Sequence, residues 1–131
     1  MHKRLPLAAA ALASLLLMSP PHAAEVIAEF SGDRDGRTAS FSTDGPWLLT
    51  WRINSDFRMQ QAFQLHLIDA DSGFMDSRIL RTFRPGNGLK LFRQEGRFQF
   101  EVSSNFTNWY LTVEQLTEEE AEQYKPTGGG D

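Results

Sequence analysis

The chain lacks cysteine altogether and holds few histidines among its 131 residues. Small secreted domains often depend on disulfides, so this fold must be held by its apolar core alone. A thiolate-bound zinc is excluded, and His66 is the only histidine beyond the first 24 residues. Because a zinc site needs three or four clustered nitrogen or sulfur ligands, we predict no metal and no cofactor.

A long hydrophobic run is also missing. Lys3 and Arg4 precede an apolar stretch over residues 5–18, followed by prolines and alanines. This is the layout of a secretory signal peptide, and the stretch is shorter than the roughly 20 residues of a membrane-spanning helix. We predict a signal peptide over residues 1–24, cleaved near Ala24, and a periplasmic or secreted product without stable membrane insertion. An uncleaved N-terminal anchor is the alternative.

Basic side chains are in the minority. The chain has 13 Lys and Arg against 17 Asp and Glu, and loss of Lys3 and Arg4 with the signal peptide leaves 11 against 17, a formal charge of −6. Affinity for nucleic acids comes largely from basic side chains on phosphates. We therefore expect no nucleic-acid partner.

Bulky apolar residues are present at every second position. Trp47, Leu49, Trp51 and Ile53 alternate with increasingly polar residues, and a period of two is the pattern of a strand with one buried face. The pattern recurs in EVIAEF, TASF, AFQLHLI, RILRTF, LKLF, RFQFEV and NWYLTVEQL, with turn-forming segments between them. We predict an all-β fold, an antiparallel β-sandwich or a small barrel of seven to eight short strands.

The alternation ends at Leu116. Residues 25–116 are predicted to form the β-sandwich domain, and residues 117–131 an acidic, glycine-rich C-terminal tail. Thr117 and Glu120 have the spacing of a capping box. That spacing predicts one or two helical turns before Pro126.

The tryptophans admit two interpretations. Exposed indoles can stack on a sugar or a peptide. Trp47, Trp51 and Trp109, however, alternate in register with aliphatic residues such as Leu49 and Leu111, and side chains two apart on a strand share a face. We therefore predict that all three indoles pack between the β-layers.

No motif of a reaction centre is present. The acidic segments GDRDG and DADSGFMD do not match the calcium loop of an EF-hand, because the glycine comes too early and no glutamate closes the loop. We interpret both as hairpin turns. His66 alternates with Leu65 and Leu67, which places it on the solvent side, and the chain has no G-x-S-x-G elbow or Walker-type phosphate loop. We predict no catalytic residue.

One segment departs from the acidic balance. Residues 78–97 hold a single acid, Glu95, beside six basic residues: Arg78, Arg81, Arg84, Lys90, Arg93 and Arg97. If SRILRTFR and LKLFRQ pair as neighbouring strands, these side chains form a basic patch for a carboxylate-rich protein surface or an anionic envelope component. The alternative is a solvated strand face on which Arg and Lys protect the sheet edge.

The spacing of aromatic residues resembles that of small exported bacterial β-sandwich proteins of unassigned function. The similarity lies in PWLLTW, in F-x-L-x-L at residues 63–67, in EGRFQFEVSSNFTNW and in WYLTVEQ. It spans most of the chain after residue 24, although many of those proteins contain cysteine. The resemblance implies a sandwich with interior tryptophans and supplies no catalytic residue.

These features predict a non-catalytic periplasmic or secreted binding or accessory module that recognises a partner protein or an anionic envelope component. One alternative is a small envelope hydrolase whose carboxylates assemble only in three dimensions. Another is a structural subunit of a secreted assembly, and the oligomeric state stays open. A deep pocket with two close carboxylates, or a carboxylate beside His66, favours the hydrolase. A flat surface with a basic patch favours binding.

Overall fold

The computed structural model describes residues 24–54, 62–104 and 107–124, so that the predicted signal peptide lies outside it apart from Ala24. The described residues form nine strands and a five-residue helix. No helix in these ranges has the length and apolar character needed to cross a membrane. The elements are β1 (Glu25–Gly32), β2 (Gly36–Arg37), β3 (Phe41–Thr43), β4 (Trp47–Asn54), β5 (Phe63–Asp69), β6 (Met75–Thr82), β7 (Gly86–Phe92), β8 (Gly96–Ser104), β9 (Asn108–Gln115) and α1 (Glu118–Glu122).

The described strands make two antiparallel sheets that enclose a shared core. Sheet A has the order β1-β9-β4-β7, and sheet B has the order β2-β8-β5-β6, with β3 also paired to β8. Apolar side chains from both sheets meet in one buried cluster. The prediction of an all-β antiparallel sandwich is confirmed.

The main departure from the predicted strands lies near Thr38. The segment predicted as the strand TASF pairs only from Phe41 onward, and Gly36–Arg37, predicted as part of a turn, pairs with β8. Between them, the Thr38 amide donates to the Phe100 carbonyl and the Thr38 hydroxyl accepts from the Phe100 amide, both at 3.0 Å. The Thr38 hydroxyl thus takes the place of a backbone carbonyl as the acceptor of one hydrogen bond between the strands. The alternation of apolar residues in the sequence does not predict this local change.

The centre of the sandwich is an aromatic cluster around Trp47. Its indole stacks on Phe92 with ring centroids 4.2 Å apart and meets Phe41 edge-on at 5.3 Å. The indole nitrogen donates to the Gln94 carbonyl at 3.0 Å, so the polar atom of this buried ring has a partner. Trp47 and Trp109 are buried as predicted. Trp51 packs against the core as predicted, but it lies at the margin of the core and is only half-buried.

A second, smaller apolar cluster lies on the outer face of sheet A. Leu48, Leu116 and Ala121 are buried there under α1. The helix begins with the predicted capping box, since Thr117 Oγ1 accepts from the Glu120 amide at 3.1 Å and Glu120 Oε1 accepts from the Thr117 amide at 2.8 Å. The first residues after the sandwich therefore pack onto sheet A, while residues 125–131 lie outside the described ranges.

Removing the cap should loosen this helix measurably. Thr117→Ala is expected to lower the free energy of unfolding by about 1 kcal/mol, because the Glu120 amide loses its acceptor. Thr117→Ser keeps that acceptor and should stay within about 0.5 kcal/mol of the wild type. Urea denaturation followed by circular dichroism measures both, and equal losses in the two variants would contradict a role for the hydroxyl.

Candidate functional site

The two basic segments that were expected to pair lie in different sheets. β6 is an edge strand of sheet B, next to β5, and β7 is an edge strand of sheet A, next to β4. Residues 83–85 carry the chain across from one sheet to the other. The pairing premise is therefore wrong, and the six basic residues do not form one continuous patch. Instead, β6 and β7 border the same side of the sandwich.

Two of the six basic residues serve the fold. Arg93 Nη1 lies 2.9 Å from Glu118 Oε1, and its Nη2 lies 3.2 Å from Glu122 Oε2, so this side chain ties the end of β7 to α1. Arg97 Nε lies 3.0 Å from Asp71 Oδ1, and its Nη1 donates to Ser40 Oγ at 2.9 Å. These two guanidinium groups already have carboxylate partners within the chain.

The other four lie on the two edge strands β6 and β7 and in the turn between them. Arg78, Arg81, Arg84 and Lys90 are exposed, and none of them forms an ion pair with another described residue. We call this part of the surface the basic side and define it by these four residues. At about 3.3 Å per residue, the stretch from Arg78 to Arg84 covers roughly 20 Å.

Arg78 and Arg81 project from the outer face of sheet B. In the β5–β6 register Arg78 stands opposite His66, and Arg81 stands opposite Gln64. The Arg81 guanidinium carbon lies 5.2 Å from the centroid of the Phe83 ring. Cation–π contact holds this side chain against an exposed ring without neutralising its charge.

Lys90 has a different orientation. It stands opposite Leu49 in the β4–β7 register, which turns its side chain toward the inner face at the rim, and its Nζ lies 5.4 Å from the Phe92 ring centroid. An inward-pointing charge on an edge strand is a known device against edge-to-edge association. The β5–β6 pairing contains two register shifts, which disrupt the ladder next to the other edge.

Large apolar side chains are exposed on the same two strands and in the turn between them. Phe83, in the turn after β6, contacts Arg81 and is 44% exposed, whereas Leu89, on the outer face of sheet A, is 52% exposed. Phe74 and Met75 are also exposed at the start of β6. The basic side therefore combines arginines with exposed aromatic surface, and both are enriched in protein interfaces.

A cavity of about 180 Å³ opens between β6 and β7. It is lined by Trp51 and Ile53 of β4, Leu80 and Thr82 of β6, and residues 84–87. We call it the Trp51 notch. The indole reaches this rim because Gly88 stands opposite Trp51 in the register, and a Cβ added at Gly88 would lie 2.6 Å from Trp51 Cε2. The sequence signal for this position is the segment GNG of β7, although the alternation of apolar residues does not connect it to Trp51.

A second, larger cavity of about 490 Å³ lies beside the loop between β1 and β2. Its polar groups are largely engaged within the chain. The Trp109 indole nitrogen donates to the Arg34 carbonyl at 3.2 Å, and Asp35 Oδ1 accepts from the Ser104 amide at 2.6 Å. Arg37, also on its wall, donates to Glu101. These contacts indicate that the cavity results from packing of the loop against the sandwich. The basic side is therefore the stronger candidate for a binding site.

A carboxylate does stand beside His66. Glu101 of β8 lies directly opposite it on the outer face of sheet B. The Glu101 carboxylate accepts from Arg37 Nε at 3.3 Å, and His66 Nδ1 has no hydrogen-bond partner among the described residues. The two side chains are thus neighbours without the direct hydrogen bond of a base held by its orienting group.

The acidic turns are organised by their own backbone. Asp69 Oδ1 accepts from the Asp71 amide at 2.9 Å, which is an Asx-turn. This agrees with the hairpin turn predicted in DADSGFMD, since β5 and β6 pair. The hairpin interpretation is wrong for GDRDG, because this segment connects β1 of sheet A to β2 of sheet B. In the described ranges no three His, Asp or Glu side chains are grouped so as to hold a metal ion.

Comparison with known proteins adds no family to this description. No protein-family model matches the chain, and no curated protein matches it. The functional conclusion therefore rests on the charge, exposure and geometry described above.

Proposed function

We propose that this protein is a non-catalytic binding module of the periplasm or the extracellular space, and that it recognises an anionic partner through the basic side. The observation that carries the proposal is the difference between the paired and the unpaired cations. Arg93 and Arg97 have carboxylates in contact, whereas the four residues of the basic side have none in the described chain. The proposed compartment rests on the signal-peptide pattern of residues 1–24.

The lack of ion pairs at these four cations, within the described residues, is informative because the chain is rich in acidic residues. With 17 Asp and Glu against 13 Lys and Arg, carboxylates outnumber cations and are available for pairing. Four exposed cations on two edge strands and the turn between them therefore leave a local positive potential on an acidic protein. Such a potential steers an oppositely charged partner and suppresses association with other basic surfaces.

Edge protection accounts for part of this side but not for all of it. The inward Lys90 and the register shifts of β6 protect the strand edges. Arg84 lies in a turn rather than on a strand, and protection by charge does not call for the exposed rings and aliphatic groups at Phe83 and Leu89. We therefore propose contact through side chains rather than addition of a partner strand to β6 or β7.

Neutralising the basic side should weaken binding of an acidic probe. The probe is a fluorescent oligoglutamate peptide, and its affinity is measured by anisotropy. Arg81→Gln with Arg84→Gln should reduce the affinity by about tenfold, since each exposed contact contributes up to about 1 kcal/mol. Added salt should weaken wild-type binding through screening.

The matched control is Arg93→Gln with Arg97→Gln, which removes the same two charges from residues that are paired within the chain. This control should bind the peptide within about twofold of the wild type. Equal losses in the two variants would show that only net charge matters and would contradict the proposed site.

The hydrolase alternative has one observation in its favour, the position of Glu101 opposite His66. We rank it second because Arg37 already occupies the Glu101 carboxylate. Hydrolysis of a chromogenic ester, peptide or glycoside by the wild type, lost in His66→Gln, would place it first.

A further inference from the structure

We infer that the partner of the basic side is an extended acidic protein segment that seats one bulky apolar side chain in the Trp51 notch and places a neighbouring carboxylate on Arg84. This inference rests on the proposed function and specifies the chemistry of the partner. It is carried by the juxtaposition of a partly apolar cavity and a guanidinium group that has no ion pair within the described residues, both in the same wall.

The size of the notch suits a single side chain. Its volume is about 180 Å³, and an apolar protein cavity of about 150 Å³ is enough to hold a benzene molecule. A phenylalanine, leucine or methionine side chain therefore fits. Trp51, Ile53 and Leu80 provide the apolar contacts for it, and the half-buried indole gains further burial when the notch is filled.

Arg84 supplies the charged half of the site. It lines the notch, is exposed, and has no carboxylate partner within the described residues. Interface hot spots are enriched in Trp, Tyr and Arg, and hydrogen bonds from a guanidinium group to a carboxylate are among the strong ones. Arg81, with its guanidinium over the Phe83 ring, extends the positive surface away from the notch and can meet a second acidic side chain.

Other occupants fit less well. An anionic polymer offers charge but no bulky apolar group for the notch. A second copy that met this side symmetrically would bring the same cations face to face, which is unfavourable. The chain's own last residues, 125–131, contain no bulky apolar side chain. The charge of the basic side and the apolar lining of the notch together favour an acidic protein segment.

The test compares two fluorescent peptides of equal charge, Glu-Asp-Phe-Asp-Glu and Glu-Asp-Ala-Asp-Glu, with the wild-type chain. The phenylalanine peptide should bind about tenfold more tightly, as expected for one buried anchor. In Gly88→Ala, where the added Cβ displaces the Trp51 indole, this preference should fall to less than about twofold.

A spectroscopic measurement on the wild-type sequence does not require Gly88→Ala to fold. With fluorotryptophan incorporated, the fluorine resonance of Trp51, assigned through Trp51→Phe, should shift with the phenylalanine peptide and not with the alanine peptide. The resonances of Trp47 and Trp109, which are buried in the core, should stay in place.

The outcomes separate this inference from the proposed function. If the two peptides bind equally and the Trp51 resonance does not shift, the anchor is overturned while recognition of an anionic partner stands. If neither peptide binds but polyphosphate does, the partner is an anionic polymer and the anchor is again overturned. If none of these probes binds, both proposals fail.

Discussion

Replacing Trp47 with alanine is expected to lower the free energy of unfolding by about 3–5 kcal/mol. The side chain is fully buried, stacks on Phe92 at 4.2 Å and donates to the Gln94 carbonyl at 3.0 Å. Truncation therefore leaves a cavity between the sheets and removes the hydrogen bond to the Gln94 carbonyl. Because domains of this size have a total stability of about 5–15 kcal/mol, the loss should be visible in the midpoint of urea denaturation.

Two further variants separate the contributions to the stability lost in Trp47→Ala. Trp47→Phe keeps a ring against Phe92 but removes the bond to Gln94, so it should be less destabilising than Trp47→Ala. Trp51→Ala should also be less destabilising, because Trp51 is half-buried and lies at the rim. A Trp51→Ala loss as large as that of Trp47→Ala would contradict the different positions of these two indoles.

Substituting Gly32 by alanine is expected to destabilise the sandwich by about 1–3 kcal/mol through overpacking. A Cβ at this position would lie 2.6 Å from Trp109 Cζ2. The ring has little freedom to move, since it is 6% exposed and its nitrogen is bonded to the Arg34 carbonyl. Alanine also lowers the conformational entropy of the unfolded chain relative to glycine, but this stabilisation offsets only about 0.4–1 kcal/mol of the loss from overpacking.

Gly36→Ala is the matched control, because it changes the unfolded chain in the same way. Nothing lies within 4 Å of a Cβ added at Gly36, so this variant should keep or slightly raise the stability. Thermal denaturation of both variants provides the comparison. Equal stability of the two would show that the Trp109 ring adapts without cost and would refute the close-packing argument.

Much of the fold follows from local pattern. Alternation identified the inward residues of the long strands, including Trp47, Leu49 and Leu111, and these are buried. The capping box at Thr117 and Glu120 was readable for the same reason, since its hydrogen bonds join residues three apart. Local geometry decides both features, so sequence alone is sufficient to predict them.

The candidate site was predictable only in part. The six basic residues could be named from the sequence, but not the fact that Arg93 pairs with α1 while Arg84 lines a notch. Where each basic residue lies depends on which strands pair. The alternation of apolar residues predicts which face of a strand is buried, but it does not predict which strands are neighbours. The same limit explains Trp51, whose face was predicted correctly but whose position at the rim beside Gly88 was not.

The sequence by itself determined the all-β class, the inward faces of the strands and the start of the helix, because each depends on side chains a few residues apart. Only the tertiary structure decided that β6 and β7 border one side from opposite sheets, with four exposed cations on or between them and the partly buried Trp51 at their rim. That arrangement depends on contacts between residues distant in the chain, whose pairing is selected by packing of the whole core rather than by any local segment.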